Sequence, residues 1–347
     1  MFKLLVIVFA ISINNVYTGN TSGKPCTIKS SHSPGVCKLL TECKTILDEE
    51  MSDHSAPQCG RTQSVVCCPK SRRPGDISAR KCREYSSYTQ EKQLCGHTVV
   101  PLIVGEQRAE GKEFPHVAVL GYAYGFLEKL EWKCGGILIS EDYILTAAHC
   151  LFTPFHVVKS VLLGVVDLKD TTHAKEINIA RIVKHPEFRN DSRYNDIALL
   201  KLERPVEINS YVRPACLQKH FSIYLSQVIT TGWTRFRATD DEGVFKITQY
   251  IEDFQTCNNV TSRKSLPEGV VNDIQLCTND AIGNLAACQR DALGIVQIYR
   301  SDDTTSCMYD IVGLTSFGLE CSSTPTVSAR ISHYIKWIED IVWPEDA

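Results

Sequence analysis

The hydrophobic pattern divides the chain into a short apolar leader, a cysteine-rich segment and a long β-rich region. Residues 4–13 are nearly all apolar, follow Lys3 and give way to small and polar residues up to Thr18. That order is typical of a secretory signal peptide, and the apolar run is too short to span a membrane. We therefore expect residues 1–18 to be a signal peptide and the mature protein to be secreted.

Beyond residue 102, short apolar segments alternate with turn residues. Examples of these strand-like segments are residues 116–122, 136–140, 143–146, 161–166, 196–202 and 228–233. Many short strands at regular spacing, with no helical periodicity between them, predict an all-β barrel or sandwich. At the C-terminus the apolar positions recur three and four residues apart instead, which predicts one amphipathic helix. These positions are Ile331, Tyr334, Ile335, Ile338 and Val342.

Composition and charge then narrow the classes of function. A formal net charge of -3 gives no reason to expect a nucleic-acid partner or an anionic membrane surface. The 16 cysteines, an even number, indicate an oxidising extracellular compartment. Zinc sites need closely spaced ligands, and only Cys67 and Cys68 are near-adjacent, so we expect disulfides and neither metal nor cofactor. Three Asn-X-Ser/Thr triplets are candidate glycosylation sites: Asn20, Asn190 and Asn259.

The segment 26–68 holds six cysteines and few large apolar residues. The cysteines are Cys26, Cys37, Cys43, Cys59, Cys67 and Cys68. Such a short segment needs cross-links to fold, each contributing roughly 2–4 kcal/mol, and spacing alone leaves many pairings open. The spacing, closed by Cys67-Cys68-Pro69, resembles the clip domain of arthropod haemolymph proteases; another six-cysteine module is the alternative. The resemblance implies the pairs Cys26–Cys67, Cys37–Cys59 and Cys43–Cys68.

Residues 69–102 have the composition of a linker or propeptide. Basic residues and a Pro-Gly pair follow the last clip cysteine, and mixed polar residues follow them. Cys82 and Cys95 interrupt this segment.

Residues 288–296 read Cys-Gln-Arg-Asp-Ala-Leu-Gly-Ile-Val and resemble the nucleophile loop of chymotrypsin-like serine proteases, C-x-G-D-S-G-G-P. Cys288 and Asp291 match that pattern. Arg290 stands in place of the oxyanion-hole glycine, and Ala292 stands in place of the nucleophilic serine. Because a methyl group cannot attack a carbonyl carbon, the loop lacks its nucleophile.

Three further motifs follow the order and spacing of the same family. Residues 145–150 resemble its histidine motif, with His149 as the general base, and residues 195–200 resemble its aspartate motif, with Asp196 orienting the imidazole. Residues 310–318 resemble the strand that pairs with the substrate backbone. The resemblance implies two six-stranded barrels and a C-terminal helix over residues 103–347, in which His149 and Asp196 are relics of a catalytic triad.

Specificity and activation positions are also altered. Ala286 occupies the position where trypsin-like members have the aspartate that binds a basic side chain. The Leu102–Ile103 bond corresponds to the family's activation site, where cleavage frees an isoleucine amine that pairs with the aspartate at position 291. Leu102 implies an activator of chymotrypsin-like or elastase-like specificity. The alternative is that Ile103 simply begins an uncleaved first strand.

The resemblance implies further disulfides in the protease-like domain. They are Cys134–Cys150, Cys257–Cys277, Cys288–Cys321 and a tether from the propeptide, Cys95–Cys216. Elimination leaves Cys82–Cys307 as a second tether. With both tethers formed, cleavage after Leu102 releases no part of the chain.

The sequence is thus identified as a clip-domain serine protease homologue without catalytic activity. The resemblance implies a cofactor or regulator in an extracellular immune cascade, either melanisation through prophenoloxidase or the Toll pathway. Its expected partners are extracellular proteases, their zymogens or substrates, and pattern-recognition or inhibitor proteins. Two alternatives are a decoy that occupies activators or inhibitors, and an active hydrolase with an unusual mechanism.

Overall fold

The computed structural model describes fourteen stretches of the chain. They are residues 23–28, 33–43, 59, 65–69, 73–87, 107–124, 130–151, 156–221, 226–236, 241–260, 266–279, 294–300, 308–317 and 325–344. The chain divides into two units, residues 1–73 and 74–347. In these stretches no helix has the length and apolar character needed to cross a membrane.

The first unit contains a small antiparallel sheet held by disulfides. Its strands are β1 (Pro25–Ile28), β2 (Ser33–Leu39) and β3 (Val65–Pro69), in that order, and a 3₁₀ turn covers Leu40–Glu42. Among the described residues its apolar cluster consists of Cys43, Val66, Cys68 and the partly buried Leu40, and a cluster of this size needs covalent cross-links to be stable. Three predicted disulfides are confirmed: Cys26–Cys67, Cys37–Cys59 and Cys43–Cys68.

In the described part of the second unit, most of the regular secondary structure is β-strand. The strands are β4 (Gln107–Arg108), β5 (Val117–Tyr124), β6 (Leu130–Leu138), β7 (Tyr143–Thr146), β8 (His156–Leu163), β9 (Lys175–Lys184), β10 (Ala198–Leu202), β11 (Cys216–Leu217), β12 (Gln227–Phe236), β13 (Asp241–Ile251), β14 (Gln275–Asn279), β15 (Gly294–Tyr299), β16 (Tyr309–Phe317) and β17 (Thr326–Arg330). Its helices are α1 (Asp76–Ser87), α2 (Phe254–Val260) and α3 (Ile331–Val342), and a 3₁₀ turn covers Ala148–Leu151.

These strands form two barrels, which confirms the predicted all-β, chymotrypsin-like fold. Strands β10-β7-β6-β5-β8-β9 close the first barrel. Strands β16-β15-β12-β13-β14-β17 form the second, which closes because β16 also pairs with β17.

The C-terminal helix α3 begins and ends where the apolar periodicity predicts, and its Ile331, Ile335 and Ile338 are buried.

A buried polar chain joins the two barrels. His116, immediately before β5, makes a 2.7 Å hydrogen bond with Gln297 of β15, and Gln297 donates in turn to Thr231 of β12. Burial lowers the pKa of His116 to about 3, so the ring is neutral at physiological pH. Because the imidazole is uncharged and its hydrogen bond is satisfied, it can be buried between the two barrels at little cost in stability.

Part of the predicted linker or propeptide over residues 69–102, residues 76–87, forms the helix α1 within the second unit. Its residues Ile77, Ser78, Cys82 and Tyr85 are buried. The buried carboxylate of Glu339, on α3, accepts the backbone N–H of Ser78 at 2.7 Å and that of Gly75 at 3.1 Å. Gly75 has φ +99°, and a Cβ there would lie 2.6 Å from the Lys219 side chain, so the turn into α1 requires glycine.

The position of α1 also corrects two predicted disulfides. Cys82 is bonded to Cys216 of β11, with a Cα–Cα distance of 5.1 Å, which excludes both Cys82–Cys307 and Cys95–Cys216. The physical reason is that α1 packs beside β11, which places Cys82 within reach of Cys216. Cys95 and Cys307 lie outside the described residues.

The other predicted disulfides of the second unit fall into two groups. Cys134–Cys150 and Cys257–Cys277 are present. The predicted pair Cys288–Cys321 lies outside the part of the chain that the structure describes.

Replacing the Glu339 carboxylate should destabilise the second unit. We expect Glu339→Gln to lower the free energy of unfolding by about 2–3 kcal/mol, since charged acceptors give the stronger hydrogen bonds and the freed N–H groups belong to a helix N-terminus. Asp340→Asn is the matched control, because Asp340 is half-exposed and forms a surface ion pair with Lys336, which predicts a change of about 0.5 kcal/mol or less. Urea titrations measure both variants. Equal losses would mean that Glu339 does not anchor α1.

Candidate functional site

The site lies where turns of the first barrel meet a strand of the second. His149 belongs to the 3₁₀ turn that follows β7, and Asp196 lies in the turn two residues before β10. Ser316 is on β16, close to that strand's C-terminal end. The structure therefore brings together the predicted His149 and Asp196, which are 47 positions apart in the sequence.

The Asp196 carboxylate is buried and accepts three hydrogen bonds. Its Oδ1 accepts the backbone N–H of His149 at 2.8 Å, and its Oδ2 lies 2.7 Å from Nδ1 of the same histidine. The Ser316 hydroxyl also donates to Oδ2. Burial alone would raise the pKa of Asp196, but the charge of His149 and the hydrogen bonds from His149 and Ser316 lower it below its usual range.

An ionised aspartate fixes the orientation of the imidazole. Since the Asp196 carboxylate can only accept hydrogen bonds, Nδ1 of His149 must carry the proton that it shares with Oδ2. The other ring nitrogen, Nε2, then faces away from the carboxylate. This is the arrangement in which a histidine accepts a proton from a nucleophile placed beside it.

A strained backbone residue positions Asp196. Asn195 has φ +53°, in the left-handed region that asparagine tolerates better than most residues. The Tyr334 hydroxyl, from α3, donates to Oδ1 of Asn195 at 3.1 Å and holds this conformation. Our sequence interpretation missed Tyr334 and gave Ser316 no individual role, because their contacts join segments more than 100 residues apart.

Most of the remaining predicted site residues belong to other parts of the chain. The specificity position Ala286 and the loop residues Arg290, Asp291 and Ala292 lie outside the described residues, as do Leu102 and Ile103 of the activation bond. Their roles stay predictions from the sequence. Of the three glycosylation candidates, Asn190 and Asn259 are exposed, and Asn20 lies outside the described residues.

Cysteine-containing clusters resemble metal sites only superficially. One consists of Cys134, His149 and Cys150, whose ligand atoms lie within 4.8 Å of one another. Cys134 and Cys150 are joined in a disulfide, however, and so lack the thiolate charge that metals bind. The other two clusters found among the described residues also depend on disulfide-bonded cysteines.

Comparisons with known proteins agree with this geometry. The family model described as Trypsin matches residues 103–338. The chain is 32% identical to Serine protease snk of Drosophila melanogaster, over 95% of this chain and 81% of that protein. It is 26% identical to Phenoloxidase-activating factor 3 of Holotrichia diomphalia, over 98% and 99% of the two chains.

Two further comparisons point the same way. The chain is 27% identical to Spaetzle-processing enzyme of Drosophila melanogaster, over 92% of each chain. The solved structure of GrC matches with a TM-score of 0.56 and 22% identity, over 69% of this chain and 99% of that one. At that identity the structural match supports the fold alone.

Proposed function

Because this chain belongs to the trypsin family of serine proteases, within the arthropod clip-domain group, we propose that it is a secreted, non-catalytic regulator of an extracellular immune protease cascade. The observation that carries the proposal is Ala292, which stands at the nucleophile position of a chain that keeps an oriented His149–Asp196 pair. Relatives named as a phenoloxidase-activating factor and a Spaetzle-processing enzyme support the cascade setting.

The energetic cost of the missing groups favours binding over catalysis. Loss of the serine of a catalytic triad reduces kcat by on the order of 10⁶. Loss of one oxyanion-hole donor reduces it by roughly 10²–10³. Arg290 keeps a backbone N–H, so this second loss applies where the loop requires the backbone conformation of glycine. These effects do not add, yet the first alone removes a physiologically useful rate. His149 keeps its geometry and has no hydroxyl to deprotonate.

The disulfide framework suits a regulator that acts after cleavage. If an activating protease cuts the Leu102–Ile103 bond, α1 stays bonded to β11 through Cys82–Cys216. The clip segment is continuous in sequence with α1, so it stays attached to the protease-like domain. The cleaved product is then a two-chain molecule that still carries both surfaces, as a scaffold for a protease and its substrate requires.

An add-back experiment tests the proposal. Haemolymph is depleted of the protein with an antibody, and prophenoloxidase activation is measured before and after the pure protein is returned. We expect depletion to change the activation rate, and protein pre-treated with a serine-directed fluorophosphonate to restore it fully, since no catalytic serine is needed. Restoration only by untreated protein would contradict the proposal.

The same assay separates the scaffold from the decoy. A decoy occupies an activator or an inhibitor in proportion to its amount, so an excess should shift the rate steadily in one direction. A scaffold instead shows an optimum, because an excess separates the protease from its substrate on different copies.

A further inference from the structure

The helix α1 begins on a buried carboxylate that comes from the far end of the chain. Glu339 of α3 is 4% exposed and accepts the N–H groups of Gly75 and Ser78 at 3.1 and 2.7 Å. A carboxylate in this place compensates both the unsatisfied N–H groups of a helix N-terminus and the positive end of the helix dipole. Departure of α1 would take both donors away from a buried charge, so this contact opposes the separation of α1 from α3.

A buried tyrosine fixes the other end of α1. Tyr85 is 1% exposed, and its hydroxyl donates to Oε2 of Glu141 at 2.9 Å and accepts the indole N–H of Trp343. Burial and the nearby charge of Glu141 raise the pKa of Tyr85, so the hydroxyl keeps its proton and remains a donor at physiological pH. Glu141 lies just before β7 and Trp343 just after α3. One side chain of α1 therefore joins three segments of the second unit.

Apolar packing holds the helix between these two ends. Ile77 belongs to the main apolar core, and Tyr85 packs in a smaller cluster with Ile208 and Met308. Glu84, in contrast, is exposed to solvent. Burial of one apolar face is what stabilises most helices in proteins. The Cys82–Cys216 disulfide is thus one of several attachments between α1 and the rest of the unit.

We propose that α1 is a docking helix whose non-covalent contacts alone keep the clip-bearing chain on the protease-like chain after cleavage at Leu102, with no disulfide between them. The docking surface is formed by Glu141, Glu339 and Trp343, and its occupant is residues 75–87 of the same polypeptide. The inference rests on the proposed function only for the existence of a cleaved, two-chain form. Reduction of the tether then does not release the clip segment.

A variant without the tether cysteines tests this independently of the natural activator. Cys82, Cys95, Cys216 and Cys307 are replaced by Ala in the full-length chain, and a recognition sequence for a site-specific protease replaces residues 97–102. After cutting, denaturing electrophoresis without reductant should show two separate chains. Size-exclusion chromatography in native buffer, at micromolar concentration, should show both chains in one peak.

The cut chain with its natural cysteines provides a second measurement if the four-cysteine variant does not fold. It is reduced in native buffer until denaturing electrophoresis shows that the two chains are no longer linked. Native chromatography should again give one peak. The signature of docking is therefore a pair of chains that separates in denaturant and stays together in native buffer.

Substitutions on the docking surface show which contacts hold the chains together. Glu339→Gln should increase the rate at which the cut chains separate on dilution by roughly 10–100-fold, because the acceptor of two N–H groups loses its charge. Tyr85→Ala should increase that rate by at least about 100-fold. Glu84→Gln is the matched control, since it makes the same change of charge on the exposed side of the same helix, and the rate should be unchanged.

Two elution peaks from cut protein whose uncut form is folded would overturn the proposal, as would an equal effect of the Glu84 and Glu339 substitutions. The outcome is separate from that of the proposed function. Release of the clip-bearing chain would leave the non-catalytic role intact, whereas peptide-bond hydrolysis by the protein would contradict that role and leave the docking of α1 unaffected.

Discussion

We expect the Ala292→Ser variant to remain a poor hydrolase, at least about 10²-fold slower than an active relative on chromogenic peptide amides, even after cleavage at Leu102. The substitution returns a hydroxyl to the residue that the family resemblance assigns to the nucleophile, in a chain that keeps the His149–Asp196 hydrogen bond. It does not return the oxyanion-hole glycine, because Arg290 remains. It also leaves Ala286 where trypsin-like members have an acidic residue, so basic substrates lack a partner charge.

A second substitution provides the control for this result. In the Ala292→Ser background, Arg290→Gly should raise kcat by roughly 10²-fold, because it restores the residue type that the oxyanion loop requires. The same Arg290→Gly change with Ala292 retained should give no activity. Robust amidase activity in the Ala292→Ser single variant would show that the other departures from the family pattern cost little.

Cleavage after Leu102 should give two chains that separate only on reduction. We expect a chymotrypsin-like or elastase-like protease to produce a new N-terminus at Ile103. Without reductant, the clip-bearing chain should stay fully attached to the protease-like chain, because Cys82–Cys216 joins α1 to β11. Electrophoresis with and without reductant, together with N-terminal sequencing, measures both points.

Disulfide mapping distinguishes the structure from the pairing first predicted. A non-reduced digest should contain one peptide pair that joins Cys82 to Cys216. Recovery of Cys95 bonded to Cys216, or Cys82 to Cys307, would mean that α1 does not pack as the structure shows. Resistance of the Leu102–Ile103 bond while other loops are cut would instead remove the cleavage step and leave the disulfide unaffected.

The strand pattern was readable from the sequence because several strands are short apolar runs that are buried at nearly every position. Segments such as 143–146 are short, apolar and bounded by turn residues, and they coincide with strands. The helix α3 was equally readable, since its apolar stripe follows the helical period over its full length. A local sequence pattern therefore predicts an element correctly when that element buries a continuous run or stripe of apolar residues.

The sequence did not predict the helix α1. Its buried positions include Ser78 and Cys82, and a Pro-Gly pair precedes it, so composition suggested a linker. What stabilises its N-terminus is Glu339, a residue 261 positions away from Ser78. The error about the Cys82 and Cys95 partners follows from the same cause, because only the packing of α1 shows which cysteine lies beside Cys216.

Only part of the candidate site could be predicted from the sequence. Motif order identified His149 and Asp196, and the structure places them in hydrogen-bond contact. Nothing in the sequence indicated that Ser316 and Arg193 approach the same aspartate oxygen, since one comes from the second barrel and the other from a turn of the first. Convergence of distant side chains on one buried charge is a property of the tertiary fold.

Peptide-bond turnover by the homogeneous protein, cleaved to expose Ile103 and freed of contaminating proteases, measures the central claim most directly. We predict no turnover above the rate in buffer and no labelling by a serine-directed fluorophosphonate. Turnover that co-purifies with the chain and disappears in the His149→Gln variant would contradict the account, because it would show that the retained pair still activates a nucleophile.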